Sequence, residues 1–371
     1  MASITSIKVT NHRCLVDFEL PEHNAEPINL LVGESGSGQP VDACFPRAAV
    51  TRWVELGFQK YELDLWGEGA FFHYSVEVGH LDNPPRGLVR HEHLECNGNN
   101  LYEAKVGEVR LYDDEGAAPA KVFPFDSRRS YVSFFEPSVG RQRIAWFREI
   151  VGAIRLLKLE PTAITRLAGA GVHAPARNGA DFAAWYRQLQ EEEPDKAQAL
   201  LADLQRIFTR FRHLRFRPVT PDSKELLVSF DAPDGATYDV SLEAVSDGQR
   251  ALIVLYALLQ VAAHKGSILF LDEPDNFVPL LEIHPWLARL RQAVEEAGGQ
   301  LFVISHHPEV IDDLAPFAAF HFSRPDGGAT QVRVATPRRA AEAFAAAPRD
   351  GEAERVPSLA DARREVERLP R

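Results

Sequence analysis

The sequence predicts an α/β fold with a mixed or parallel sheet, an antiparallel β subdomain and an inserted helical lobe. In the last third, the apolar strand SILFLDEPD, the helix PWLARLRQAVEEAGG and the apolar strand QLFVISHHPEV follow one another. This order implies parallel pairing of the two strands. Between about Lys60 and Phe125, short β-rich runs are joined by the turn sequences GEGA and NGNN, which is typical of antiparallel hairpins.

The remaining segments follow from changes in periodicity along the chain. The runs SITSIKVTN, CLVDFEL and INLLV near the N-terminus are typical of strands, and apolar residues recur at helical spacing between 131 and 213. We divide the chain into 1–58 (N-terminal part of the core), 59–130 (antiparallel β subdomain), 131–213 (helical lobe), 214–335 (C-terminal part of the core) and 336–371 (a partly flexible tail with a candidate helix from Ser358).

Two helices of the C-terminal part have recognisable ends. AVSDGQRALIVLYALLQVAAHKG should begin at a cap formed by Ser246 or Asp247 and end before Gly266. It is apolar almost all round, which predicts deep burial. In PWLARLRQAVEEAGG we expect Pro285 in the first turn, where a missing N–H is tolerated.

Composition excludes several classes of protein. A net charge of −12 argues against a generally basic nucleic-acid binder. No apolar run reaches the roughly 18 residues of a membrane span, and the first residues do not resemble a signal peptide. Three scattered cysteines indicate a reducing compartment. We therefore expect a cytoplasmic protein without a membrane partner.

The stretch LLVGESGSGQP raises the question of a phosphate site. Gly33, Gly36, Ser37 and Gly38 follow a predicted strand in the pattern of a loop whose backbone N–H groups wrap an anion. A complete P-loop continues with Lys and then Ser or Thr, whereas this chain continues with Gln39–Pro40. By itself the stretch fits a weakened phosphate loop or a simple glycine-rich turn.

Three further motifs follow. In ILFLDE, an apolar strand delivers Asp272, suited to binding Mg²⁺, and Glu273, suited to act as general base. The alternative is a helix-capping Asp with a surface Glu beside it. VSDGQR begins a helix, with a plain N-cap as the alternative, and VISHHP ends a strand with two histidines, with a metal-binding pair as the alternative.

These four motifs, in this order and approximate spacing, resemble the ABC-type ATPases of the SMC/RecF/OLD-like group, in particular compact prokaryotic members without long coiled-coil arms. The opening IKVTNHRCLVDFEL also fits that pattern. The resemblance spans roughly residues 3–325.

The resemblance implies roles for particular residues. Ser246, Gly248 and Gln249 would bind the γ-phosphate of a nucleotide held by the opposite subunit. His306 would sense the γ-phosphate, with His307 as second choice, and Arg13 would contact nucleotide or DNA. The cofactor-binding loop would comprise Gly33, Gly36, Ser37, Gly38 and Gln39. ATP and Mg²⁺ are the implied cofactors, with a homodimer or another ATPase or effector subunit as partner.

Gln39 and Pro40 then separate two hypotheses. Loss of a lysine that faces phosphate typically costs about 2–5 kcal/mol, so hydrolysis should be slow or absent. The first hypothesis is an ABC-type ATPase with an impaired P-loop, acting in a DNA-linked process or antiviral defence. The alternative is a pseudo-ATPase that serves as a scaffold or regulatory subunit.

A cluster of arginines adds a third feature. In RIFTRFRHLRFRPV, arginines alternate with aromatic residues, which suits contact with nucleic-acid backbone and bases. The alternative is a helix end and an edge strand whose arginines pair with the abundant acids. The candidate nucleic-acid contacts are Arg210, Arg212, Arg215 and Arg217, with Arg206 just before them.

Overall fold

The computed structural model describes residues 2–20, 45–82, 85–116, 121–136, 139–262, 264–305, 307–314, 319–323 and 328–335. The chain forms two compact units, one comprising residues 1–154 and 314–371 and the other residues 155–313. The predicted tail 336–371, with its candidate helix from Ser358, lies outside the described residues.

Within these residues the strands are β1 Ser3–His12, β2 Leu15–Leu20, β3 Phe58–Gly67, β4 Ala70–Asp82, β5 Pro85–Cys96, β6 Asn99–Lys105, β7 Glu108–Leu111, β8 Lys121–Pro124, β9 Ile154–Leu157, β10 Leu167–Ala168, β11 Phe211–Thr220, β12 Ser223–Asp231, β13 Thr237–Ser241, β14 Ile268–Asp272, β15 Gln300–Ile304, β16 Ala319–Ser323 and β17 Gln331–Ala335. The α-helices are α1 Gln142–Ala153, α2 Phe182–Glu192, α3 Pro194–Ile207, α4 Asp247–Ala262, α5 Leu280–Glu296 and α6 Pro308–Leu314. Short 3-10 turns occur at Arg47–Ala49, Tyr131–Phe134, Pro161–Ala163 and Leu242–Ala244.

The first unit is built on an eight-stranded antiparallel sheet in the order β2-β1-β3-β4-β5-β6-β7-β8. The hairpins predicted at GEGA and NGNN are confirmed at residues 67–70 and 96–99. Their central residues Glu68 and Asn97 have φ of 51° and 50°, and a glycine with positive φ follows each. Positive φ at both central positions is type I′ geometry, which matches the twist of paired strands.

The segments seen in the structure do not coincide with the predicted segments. β1 pairs with β3 from Ser3 opposite Trp66 to Thr10 opposite Lys60, so the N-terminal strands share one sheet with the segment predicted as a separate β subdomain. The predicted helical lobe is divided too, because α1 lies in the first unit and α2 and α3 lie in the second.

A buried carboxylate organises the middle of the large sheet. The side chain of Glu92, on β5, is fully buried. It accepts hydrogen bonds from the hydroxyls of Tyr74 (3.1 Å), Tyr102 (2.8 Å) and Ser130 (2.7 Å) and from the backbone N–H of Tyr131 (2.8 Å). These donors come from β4, β6 and the segment after β8. Burial, and then the charge of Glu92, raises the pKa of both tyrosines that contact it.

The second unit contains the sheet that carries the predicted carboxylates. Its strand order is β15-β14-β9, and β14 runs parallel to β15, with Asp272 opposite Ile304. Because α5 connects these two strands, the predicted strand–helix–strand pairing is confirmed. The predicted α/β class with an antiparallel β portion is confirmed as well.

The same unit has a second sheet. It runs in the order β10-β12-β11, and β13 also pairs with β12. The turn predicted at APDG lies between β12 and β13, where the N–H of Ala232 donates to the carbonyl of Ala236 at 2.7 Å. None of the described helices is long and apolar enough to cross a membrane.

Helix α5 begins five residues earlier than predicted, at Leu280, so Pro285 lies inside the helix and the expected first-turn position was wrong. The added turn has a packing reason. Ile283 is fully buried, and Leu287 and Leu290 on the same face are buried as well. This apolar face extends the helix past a proline that removes one backbone hydrogen bond.

Helix α4 is buried along nearly its whole length, as predicted. Two contacts connect it to its neighbours. The indole N–H of the fully buried Trp286 donates to the carbonyl of Leu255 at 2.8 Å. The guanidinium of Arg289 lies 5.7 Å from the ring centre of Tyr256 and 2.7 Å from the buried carboxylate of Asp203 on α3. Helices α3, α4 and α5 are therefore held together by polar contacts as well as apolar ones.

Replacing Glu92 with Gln should destabilise the protein by about 2–4 kcal/mol, because several buried donors lose a charged acceptor. Urea unfolding measures the change. The matched control is Glu103→Gln on β6, whose carboxylate is partly exposed beside Lys105 and His91; it should cost about 1 kcal/mol or less. Equal losses in the two variants would contradict the central role of Glu92.

Histidine 284 should make stability depend on pH. It contacts the carboxylates of Glu309 (3.1 Å) and Asp313, which connects α5 to α6. The hydrogen bond to Asp313 is the main cause that raises the pKa of His284. Since the folded pKa lies above the unfolded value, this contribution is fully present below about pH 6.5 and is lost as pH rises through the folded pKa.

The groups are partly exposed, so we expect about 1 kcal/mol or less from this contact. Unfolding free energies of the wild type and His284→Gln, compared at about pH 6 and pH 8, isolate it from other histidines. The variant should be less stable at the lower pH and nearly equal at the higher one. A difference that does not change with pH would rule out this titration.

Candidate nucleotide site

The structure describes some of the predicted site residues and not others. Gly33, Gly36, Ser37, Gly38, Gln39, Pro40 and His306 lie outside the described residues, so their predicted roles stay predictions. The described ones are Arg13, Ser246, Gly248, Gln249, Asp272, Glu273 and the arginines of the 206–217 segment.

Strand β14 positions the two predicted carboxylates. Residues 268–271 are buried, and Asp272 is the last residue of the strand. Glu273 has φ of 50°, an uncommon conformation for a residue with a side chain. Its backbone N–H donates to the carbonyl of Ile304 on β15 at 2.8 Å. Such strained positions concentrate at functional sites, where surrounding contacts hold them.

A lysine that the sequence reasoning missed lies against both carboxylates. Lys158 directly follows β9, and its Nζ lies 3.0 Å from Oδ2 of Asp272 and 3.6 Å from Oε2 of Glu273. Its backbone N–H donates to the carbonyl of Arg177 at 2.8 Å. The available signal was the position of the lysine, the first polar residue after the apolar end of a short strand. The ends of adjacent strands can meet at one edge of a sheet. However, the sequence does not show which strands are adjacent when they lie far apart along the chain.

The electrostatics of this contact favour a charged lysine. The hydrogen bond to Asp272 is the largest cause that raises the pKa of Lys158, and the charges of Asp272 and Glu273 add to it. The lysine side chain is 42% exposed, whereas Asp272 is 15% exposed. The ammonium group therefore has one side toward the carboxylates and remains accessible to solvent. We name this arrangement, Lys158 with Asp272 and Glu273, the carboxylate–lysine cluster.

Glu273 has a second partner. The side-chain amide of Asn276 donates to Oε2 of Glu273 at 2.7 Å, and the Asn276 N–H donates to the Glu273 carbonyl at 3.2 Å. The turn after β14 thus holds Glu273, the predicted general base, in position.

The cluster does not fit an ordinary Mg²⁺ site. Asp272, the predicted metal ligand, already receives a charge-assisted hydrogen bond from an ammonium group. In sequence, Pro40 stands where a P-loop would supply a hydroxyl ligand.

The VSDGQR segment begins α4 with a capping box. The N–H of Gln249 donates to Oγ of Ser246 at 3.3 Å, and the N–H of Ser246 donates to Oε1 of Gln249 at 3.2 Å. Ser246, one of the two predicted caps, is exposed. A β-carbon at Gly248 would lie 2.9 Å from the carbonyl oxygen of Phe277, so the backbone approach requires glycine. An exposed helix start of this kind suits an anion.

His307, the second choice for the phosphate-sensing histidine, has a local structural role. Its Nδ1 accepts a hydrogen bond from the N–H of Glu309 at 3.3 Å, and its carbonyl accepts one from the N–H of Ile311. These contacts cap the start of α6. The predicted role in phosphate sensing, for His306 or as second choice His307, stays a prediction.

Arg13 lies in the first unit, at a turn where its φ is 53°. It lines a surface pocket of about 370 Å³ together with Arg52 and the exposed Trp53. Two cationic side chains and an exposed indole suit a phosphate and a base or sugar. The predicted role of Arg13 in nucleotide or DNA contact stays a prediction.

The arginine segment pairs with acids of its own unit. Arg212 contacts Asp231 at 3.1 Å, Arg215 contacts Asp239, Arg217 contacts Glu225 at 2.6 Å and Arg206 contacts Asp203 at 3.2 Å; Arg210 has φ of 64°. These contacts agree with the alternative interpretation, in which the arginines pair with acidic residues of the same chain. Three of the side chains on β11 remain at least half exposed, so nucleic-acid contact stays a prediction.

Part of the chain matches a known family model. Residues 162–312 match the family model described as "AAA domain, putative AbiEii toxin, Type IV TA system". No curated protein matches the chain. The matched segment contains the capping box and both carboxylates, and Lys158 precedes it.

Two solved structures are similar over most of their length. The SMC head domain from Thermotoga maritima is 14% identical, with a TM-score of 0.39 over 89% of this chain and 98% of its own. The recombination mediator protein RecF–ATPrS of the RecFOR pathway is 11% identical, with a TM-score of 0.40 over 81% of this chain and 92% of its own. Both similarities are too remote to bear on function. The family match confirms the resemblance to P-loop ATPases for residues 162–312.

Proposed function

We propose that this chain is a nucleotide-binding ABC-type ATPase whose own hydrolysis is slow or depends on a partner. The observation that carries the proposal is the placement of Asp272 and Glu273 at the carboxyl end of a buried parallel strand. Ligands of open α/β sheets bind at that edge. The strained backbone of Glu273, fixed by β15 and by Asn276, supports a functional role.

ATP hydrolysis requires a general base and positive charge near the transferred phosphoryl group. In hydrolysis, a water oxygen forms a bond to the γ-phosphorus while the bond from that phosphorus to the bridging oxygen breaks, yielding ADP and inorganic phosphate. Glu273 would accept the proton from the attacking water. Positive charge is needed because negative charge spreads over the transferred phosphoryl oxygens. Gln39 lacks the charge that a P-loop lysine supplies, which is why slow turnover is proposed.

The exposed start of α4 supports a paired arrangement. Ser246 and Gly248 would face the γ-phosphate of a nucleotide bound by a second subunit, either another copy or a different ATPase or effector. We place this activity in the cytoplasm, in a DNA-linked process or antiviral defence.

A second candidate function is a pseudo-ATPase that acts as a scaffold or regulatory subunit. It is favoured by one observation: both carboxylates are engaged by donors of the same chain, Asp272 by Lys158 and Glu273 by Asn276. Such contacts would hold the two carboxylates in place without a bound nucleotide. This candidate predicts weak or undetectable ATP binding.

ATP turnover by the full chain, alone and with products of neighbouring genes, tests the first candidate. Glu273→Gln should lower kcat about 100-fold, because it removes the general base. The matched control is Glu295→Gln on α5, whose carboxylate pairs only loosely with Arg291 at 3.8 Å; it should leave turnover unchanged. Absence of turnover under every condition would refute the hydrolase.

Calorimetry with ATP separates the two candidates. The first predicts measurable binding by the wild type. The second predicts little binding and a gain of both binding and turnover when Gln39→Lys is combined with Pro40→Ser. Micromolar ATP binding by the unchanged chain would rule out the second candidate.

A further inference from the structure

The carboxylate–lysine cluster carries one inference beyond the proposed function. In a site that uses a divalent cation, positive charge lies beside the strand-end carboxylate. Here that position is held by the Nζ of Lys158, 3.0 Å from Asp272 and 3.6 Å from Glu273. One ammonium therefore contacts both of the carboxylates that would flank a bound cation.

The backbone of Lys158 is held by its surroundings. Leu157 and Leu159, on either side of it, are 2% and 8% exposed. The backbone N–H of Lys158 is held by the carbonyl of Arg177. These contacts hold the backbone of Lys158 at the position from which its Nζ contacts Asp272. Its head contacts the carboxylates while the side chain remains 42% exposed, so a ligand can reach it.

One sequence feature agrees with this placement. Gln39 and Pro40 lack the lysine and the hydroxyl that a metal-dependent phosphate loop uses. The cluster supplies an ammonium group beside Asp272 and Glu273. A primary ammonium donates three hydrogen bonds, so it can hold carboxylates and a phosphate oxygen at the same time.

We propose that the ammonium group of Lys158 takes the place of a divalent cation at Asp272 and Glu273, so that this chain binds nucleoside triphosphate without metal. The nucleotide part of this inference rests on the proposed function. The exclusion of metal from the carboxylates does not, because it depends only on the cluster.

Manganese binding, followed by the electron paramagnetic resonance signal of free Mn²⁺, tests the cluster without nucleotide. The wild type should not bind Mn²⁺ at these carboxylates. Lys158→Met keeps an unbranched side chain of similar length but removes the charge, so it should bind Mn²⁺ at least about tenfold more tightly than the wild type. Adding Asp272→Asn to that variant should abolish the gain, and Lys158→Arg should behave as the wild type.

The matched control is Lys60→Met, which removes a lysine from a single carboxylate, Glu62 at 2.7 Å; it should gain no Mn²⁺ site. A melting curve for each variant shows that it is folded. Either of two results overturns the inference: Mn²⁺ binding by the wild type that is lost in Asp272→Asn, or no gain in a folded Lys158→Met variant.

The nucleotide arm uses calorimetry with ATP, in EDTA and in Mg²⁺. Wild-type affinity should differ by less than about threefold between the two conditions, and Lys158→Met should lose at least about tenfold in EDTA. A wild-type affinity that requires Mg²⁺ overturns the inference. Absence of ATP binding in both conditions refutes the proposed function, and the Mn²⁺ result still decides whether Lys158 excludes metal.

Discussion

The contact between Lys158 and the carboxylates of Asp272 and Glu273 is the interaction on which the proposed site in the second unit depends. Two acidic side chains in succession at the end of a buried strand repel each other unless a cation lies between or beside them. In this chain an ammonium group does so, supplied by the residue that follows the neighbouring strand. We propose that this side chain makes the site independent of metal.

The rest of the unit fixes where this contact forms. Strand β14 is buried and pairs in register with β15. This pairing fixes the position of Asp272 at the edge of the sheet, opposite Ile304. The buried helix α4 is connected to α5 by Trp286 and to α3 through Arg289 and Asp203. The turn after β14 approaches the start of α4 so closely that only glycine fits at position 248. The start of α4 and the turn that follows the carboxylates are thus packed against each other.

Much of this arrangement could be predicted from sequence because local patterns specify it. The alternation and turn chemistry of GEGA and NGNN determine their hairpins, and the S-x-x-Q spacing of Ser246 and Gln249 determines the capping box. The early start of α5 was missed because a proline usually marks a first turn, whereas here burial of Ile283 outweighs it. Lys158 was missed because its partners are more than a hundred residues away in sequence, and no local pattern reports a contact of that range. The hydrogen bonds of Glu92 were missed although its donors lie only 10 to 39 residues away, because pairing of the strands brings them together.

A crystal structure of the full chain, grown with a non-hydrolysable ATP analogue and Mn²⁺, tests the central claim most directly. The anomalous signal of manganese locates any bound metal independently of the protein density. The account predicts the analogue at the edge where β14 ends, with the Nζ of Lys158 in hydrogen-bond contact with Asp272 and a phosphate oxygen, and no anomalous peak beside the two carboxylates. A manganese peak bound by Asp272, with Lys158 displaced, would contradict it.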